Sequence, residues 1–86
     1  MPSVLNLRSL PPDTPYVRVD RGTKWGNPFV IGRDGTRRDV IRRYREYLAG
    51  NPYLTFCLSE LRGQNLACWC APLPCHADIL LEAANR

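Results

Sequence analysis

The run NLACWC, Asn65 to Cys70, decides the fold. It is short, apolar and flanked by turn formers, which reads as a buried strand in the centre of a sheet. Beyond Ala71, the run PLPCHADILLEAAN, Pro72 to Asn85, turns helical. Pro74 stands near its start, and Ile79, Leu80, Ala83 and Ala84 face inward. Working back towards the N-terminus, LRGQ closes a helix at Gly63, with Leu54, Cys57, Leu58 and Leu61 as its apolar stripe, Asn51 as its cap and Pro52 at its first position. An earlier helix starts at Thr36, where Asp39 three residues on completes a capping box, and ends at Gly50. Its inner face is Val40, Ile41, Tyr44, Tyr47 and Leu48; Arg38, Arg42, Arg43 and Arg45 lie outside.

Two short strands precede these helices. SVLNLRSL alternates so that Leu5 and Leu7 face the core, and YVRVD sets Val17 and Val19 against Tyr16 and Arg18. The prolines of LPPDTP forbid regular pairing between them. The order β-β-α-α-β-α gives one small α/β domain over residues 1–86, a three-stranded sheet, parallel in part, covered by three helices. So few strands leave an edge open, which is a route to a homodimer.

With 86 residues the chain buries only roughly 60% of its unfolded surface, so its stability margin is thin and a metal or a partner subunit would help it. No run of about 18 apolar residues spans a membrane. The start, MPSVLNLRSL, lacks the basic and apolar regions of a secretory signal. The expected location is therefore cytoplasmic, where four cysteines argue against a disulfide framework. The net charge of +4, with Lys24 the sole lysine among twelve basic residues, favours an anionic partner.

The stretch CWCAPLPCHAD, Cys68 to Asp78, holds three of the four cysteines and the one histidine. Residues i and i+2 of a strand share a face, so Cys68 and Cys70 point together and Trp69 points away. The proline-stiffened APLP loop then brings Cys75 and His76, in the first helical turn, close to the strand end. Three readings stand. Cys68, Cys70, Cys75 and His76 are the ligand types of a zinc site, although neighbours on a helix point about 100° apart. Alternatively Cys75, lying at a helix N-terminus, is an activated nucleophile with His76 or Asp78 as proton carrier and Cys70 as resolving thiol. Or the cysteines are only core, as Cys57 is on its helix stripe.

A second loop, RGTKWGNPF, Arg21 to Phe29, also follows a strand, where open α/β sheets place ligands. Arg21 or Lys24 can hold a phosphate, Trp25 can stack on a base, Asn27 can make a bidentate amide contact, and Gly26 lets a ligand approach the backbone. The competing reading is structural: Trp25 and Phe29 anchor the loop, and Gly26-Asn27-Pro28 forms a turn. The arginine face of the first helix is a weaker candidate for nucleic acid, since no aromatic residue interleaves it.

TKWGNPF together with LACWCAPLPCHADILLEAAN resembles an uncharacterised bacterial and bacteriophage family, domain of unknown function 4326. The resemblance implies that Lys24–Phe29 and Cys68–Asp78 form the site, and implies no activity. The tail is also similar to the domain of unknown function 488 family. There Cys68, Cys75 and His76 have counterparts, a carboxylate replaces Cys70, and a basic residue stands where this chain has Ala77. A carboxylate binds metal but resolves no disulfide, which favours metal. The leading expectation is a zinc site on Cys68, Cys70, Cys75 and His76, with Arg21, Lys24, Trp25 and Asn27 as the wall for a nucleotide or nucleic-acid ligand and Asp78 orienting His76. An interaction module propped by zinc is the remaining alternative.

Overall fold

The computed structural model describes residues 2–86. Strands β1 (Val4–Asn6) and β2 (Val17–Arg18) are followed by helices α1 (Arg37–Ala49) and α2 (Pro52–Cys57), strand β3 (Leu66–Cys68) and helix α3 (His76–Ala84). A 3₁₀ turn, Leu58–Glu60, extends α2. β3 lies between β1 and β2 and runs parallel to both, with Leu66 opposite Val4 on one side and Val17 on the other. All of β3 is buried, as a continuous apolar run requires. The sheet is thus parallel throughout, more uniform than the sequence implied. Its consequence is that all three strands end along one edge.

Helix α1 begins as its sequence demands. Thr36 Oγ1 accepts from Asp39 N at 3.2 Å, and Asp39 Oδ2 accepts from Thr36 N at 2.9 Å. Gly35 before it has φ +124, and a Cβ there would lie 2.6 Å from the Asp39 Cβ. Val40, Tyr44 and Leu48 are buried along the expected face. Asn51 Oδ1 accepts from Leu54 N at 3.1 Å and starts α2, which buries Leu54 and Cys57. α3 buries Ala77, Ile79, Leu80 and Ala84 against β3 and α1.

The phase of β1 differs from expectation. Val4, not Leu5 or Leu7, packs against the core cluster. A strand of adjacent Val and Leu is apolar on both faces, so alternation alone cannot fix which one is inside. Among the described residues no helix is long and apolar enough to cross a membrane.

Candidate functional site

A cleft of about 280 Å³ opens at the carboxyl edge of the sheet, where parallel α/β sheets gather their ligand-binding loops. Its floor holds Cys68, Cys70 and Cys75; its walls include Arg21, Arg37 and Trp69.

The loop that carries the sulfurs is pinned from β1. Leu7 N donates to Cys68 O at 2.9 Å, and Asn6 Nδ2 donates to Trp69 O at 3.3 Å and Ala71 O at 2.6 Å. Leu73 N closes a turn onto Cys70 O at 2.8 Å, across a cis Ala71–Pro72 peptide. Cys75 is the N-cap of α3, and Asp78 Oδ2 accepts its N–H at 2.9 Å. Asp78 therefore caps the helix that presents Cys75, rather than orienting His76.

The three sulfurs lie within 4.8 Å of one another, and Cys68 Sγ and Cys75 Sγ are 3.0 Å apart. Tetrahedral Zn–S bonds of about 2.3 Å place two sulfurs about 3.8 Å apart. The observed spread brackets that distance, so three cysteines can hold a metal ion with small shifts.

Cys68 and Cys75 share a proton unequally. The Cys68 sulfur receives the Cys75 thiol, then the backbone N–H groups of Cys70 and Ala71, and its pKa is lowered to about 6. Cys75 is raised, because it donates to Cys68 and is buried. The helix N-terminus argument pointed to Cys75 as the activated thiol. Cys75 does receive the Ala77 N–H, but two loop N–H groups, of Cys70 and Ala71, reach Cys68, which favours Cys68 as the thiolate of the pair.

His76 is 8% exposed, and its Nε2 lies 2.6 Å from Val19 O. A carbonyl cannot donate, so Nε2 carries the proton and Nδ1 is left as an acceptor. Burial lowers the His76 pKa and keeps the ring neutral. A neutral ring clamped through its N–H to a backbone carbonyl is the posture of many metal-ligating histidines. His76 lines the cleft but is outside the three-sulfur group. Cys75 is the extended N-cap, at φ −154 and ψ 179, whereas His76 is the first helical residue and its ring is tied to Val19 O.

The Arg21–Phe29 loop divides. Arg21 and Asn27 line the cleft; Lys24 and Trp25 do not. Trp25 is 3% exposed, and its carbonyl accepts from Tyr44 Oη at 2.8 Å. Asn27 donates through Nδ2 to Val40 O at 3.1 Å and accepts from Phe29 N at 3.0 Å, so its amide holds the loop to α1. Gly26 is needed for the loop itself, since a Cβ would lie 2.6 Å from Arg21 Cα. Lys24 pairs with Glu60 at 2.9 Å, which raises its pKa, and lies 5.3 Å from the Trp25 ring centroid and 5.6 Å from that of Tyr53.

Three wall residues escaped the sequence reading. Arg37 donates through Nη1 to Pro74 O at 3.0 Å. Asp20 is buried, accepts Arg18 Nη2 at 2.6 Å and receives Trp69 Nε1–H at 3.1 Å. Trp69 is half exposed. Strand alternation turned Trp69 away from the cysteines, but β3 ends at Cys68 and Trp69 lines the same cleft as they do; Asp20 and Arg37 carried no local signal. On the arginine face, Arg42 pairs loosely with Asp39 at 3.8 Å, Arg45 with Glu82 at 3.6 Å, and Arg43 lies 5.7 Å from the Phe29 ring centroid.

Fold and site together define a small α/β domain with a three-cysteine cluster at the carboxyl edge of a parallel sheet. The chain belongs to the family described as Domain of unknown function (DUF4326), whose model matches residues 7–86. It is 36% identical over 75 residues to an uncharacterized 12.4 kDa protein in the nrdA-td intergenic region of Enterobacteria phage T4, covering 81% of this chain and 68% of that protein. No solved structure matches it.

Proposed function

We propose that the chain holds a zinc ion on Cys68, Cys70 and Cys75 and presents the ion's remaining position to a small phosphate-bearing ligand, a nucleotide or the end of a nucleic acid. The observation that carries this reading is the grouping of three sulfurs within 4.8 Å on the floor of a cleft walled by Arg21 and Arg37. Three thiolates with an open position are suited to a zinc ion that binds or polarises a ligand. Arg21 Nη2 donates to Phe29 O at 3.2 Å and Arg37 Nη1 to Pro74 O, which orients both guanidinium groups while leaving further N–H donors. Among the described residues neither forms an ion pair, so both charges are available to a phosphate. His76, neutral and clamped through Nε2–H to Val19 O, lines the same cleft with Nδ1 as an acceptor and would be the candidate for a fourth ligand.

Native mass spectrometry of protein purified without added metal tests this. One zinc per chain is expected, lost with Cys68→Ala, Cys70→Ala or Cys75→Ala and retained with Cys57→Ala. A metal-free chain that folds normally would sink the zinc reading. The lowered pKa of Cys68 then favours a second one, a nucleophilic thiolate at Cys68 with Cys75 as its proton donor. Iodoacetamide labelling that titrates near pH 6 and vanishes in Cys68→Ala would carry that alternative. Loss of fold on chelation, with no phosphate bound, would mark a zinc-propped interaction module instead.

A further inference from the structure

Trp69, not Trp25, is the tryptophan at the cleft. It stands between Cys68 and Cys70, lines the same cleft as Arg21 and Arg37, and leaves 50% of its surface open to solvent. An indole half in water forgoes much of the apolar burial that its size offers. Yet the ring is fixed. Its Nε1–H donates to Asp20 Oδ2 at 3.1 Å, and Asp20 is itself gripped by Arg18 through Nε at 3.2 Å and Nη2 at 2.6 Å. Its backbone carbonyl is held by Asn6 Nδ2 at 3.3 Å, and the Arg8 guanidinium lies 5.8 Å from the ring centroid. Nothing in the core needs this ring: the buried cluster forms around Trp25, Tyr44 and Leu80 and does not include it. A buried carboxylate thus orients a surface tryptophan, whose polar atom is satisfied and half of whose surface is exposed.

We propose that Trp69 is the base platform of the cleft: a nucleobase stacks on its open face while the phosphate of the same nucleotide sits on Arg21 and Arg37. This rests on the reading of the cleft as a phosphate site and names its ligand, a nucleoside phosphate. A flat apolar wall beside two guanidinium groups matches a molecule that is aromatic at one end and anionic at the other. Pre-organisation by Asp20 removes the entropy cost of ordering the indole on binding. A free mononucleotide and the 5′-end of a single strand share this chemistry.

The test compares zinc-loaded wild type, Trp69→Phe and Trp69→Ala in binding adenosine 5′-monophosphate, ribose 5-phosphate and a 5′-phosphorylated oligoadenylate by calorimetry, with zinc content measured for each. Trp69→Ala is expected to weaken the adenosine ligand about tenfold or more. Trp69→Phe keeps a stacking ring and is expected to stay within about threefold of wild type. Ribose 5-phosphate, having no base, is expected to bind all three alike, and zinc content to stay constant. Whichever of the mononucleotide and the oligonucleotide shows this dependence supplies the base. Unchanged adenosine binding in Trp69→Ala overturns the platform and leaves the phosphate site standing, as does equal weakening of ribose 5-phosphate. Failure of the wild type to bind either phosphate overturns both readings. A base-dependent, Trp69-dependent signal in zinc-free protein upholds the platform and overturns the part of the zinc reading in which the ion receives the ligand.

Discussion

Two loops rich in polar and reactive side chains meet at the carboxyl edge of the sheet, and they use their chemistry in opposite ways. In residues 20–29 the polar groups serve the backbone: Thr23 Oγ1 donates to Asp20 O at 2.8 Å, the Asn27 amide ties Phe29 and Val40, and Lys24 pairs with Glu60. In residues 68–76 the backbone is tied down from outside, largely by Asn6, and the sulfurs meet one another beside a cleft. The difference is chemical. Amides and hydroxyls are good partners for backbone donors and acceptors, so a loop of irregular shape takes them up. Thiols are poor at that task, so a cluster of them is left for other chemistry.

If this contrast holds, the largest effect on stability comes from the first loop. Trp25→Ala should cost about 3–5 kcal/mol, most of the stability of a domain this small, because it empties a core position. Trp69→Ala should cost about 1 kcal/mol. Urea denaturation followed by circular dichroism measures both, and similar losses would erase the distinction between the two tryptophans.

The second loop should respond to metal instead. With free zinc about 100-fold above the dissociation constant, wild type should gain about 2.7 kcal/mol over the chelated chain. Cys70→Ala should gain none, and Cys57→Ala should gain as much as wild type. A gain that survives in Cys70→Ala would mean that the metal sits elsewhere. Next in size, Asn27→Ala should cost about 1–3 kcal/mol with or without zinc, because it leaves the Phe29 N–H without its bond in a part-buried place. A zinc-dependent cost there would join the loops that this comparison separates.

The sequence made much of this legible, for stated reasons. NLACWC announced a central strand because only a strand flanked on both sides stays apolar without alternation. Thr36, Asp39, Asn51 and Pro52 marked their helix starts because capping is local. Three cysteines in eight residues announced their own meeting, since a stiff two-proline loop leaves them little freedom to part. What stayed hidden needed contacts between distant segments. Lys24 meets Glu60 36 positions away, and Asp20 meets Trp69 49 positions away. Which tryptophan is buried was hidden for that reason: each follows a strand, and only the packed fold puts Trp25 in the core and leaves Trp69 half exposed. The choice between Cys68 and Cys75 for the thiolate was hidden likewise, because it depends on where the N–H groups of Cys70 and Ala71 point.

The smallest predicted effect tests the link between the loops, the Asp20–Trp69 bond. Arg18 hydrogen-bonds the Asp20 carboxylate and holds its pKa below the usual value; burial opposes this, and the Trp69 N–H assists. His76 is the other titratable group nearby, and its neutral ring leaves the pairing to Arg18. A pKa lowered on folding means that the unfolded chain binds the proton more readily. The pairing therefore stabilises the fold above the unfolded value of about 4 and is lost as pH falls through the lower, folded value. Asp20→Asn keeps an oxygen for Trp69 but loses the charge. It should be slightly less stable than wild type at pH 7, with the gap closing only below about pH 4. Because Trp69 reports on its partner, its fluorescence in wild type should shift in that same acid window and stay level in Asp20→Asn. A gap that is constant with pH would mean that the Asp20 charge, and its pairing with Arg18, contributes nothing to this link.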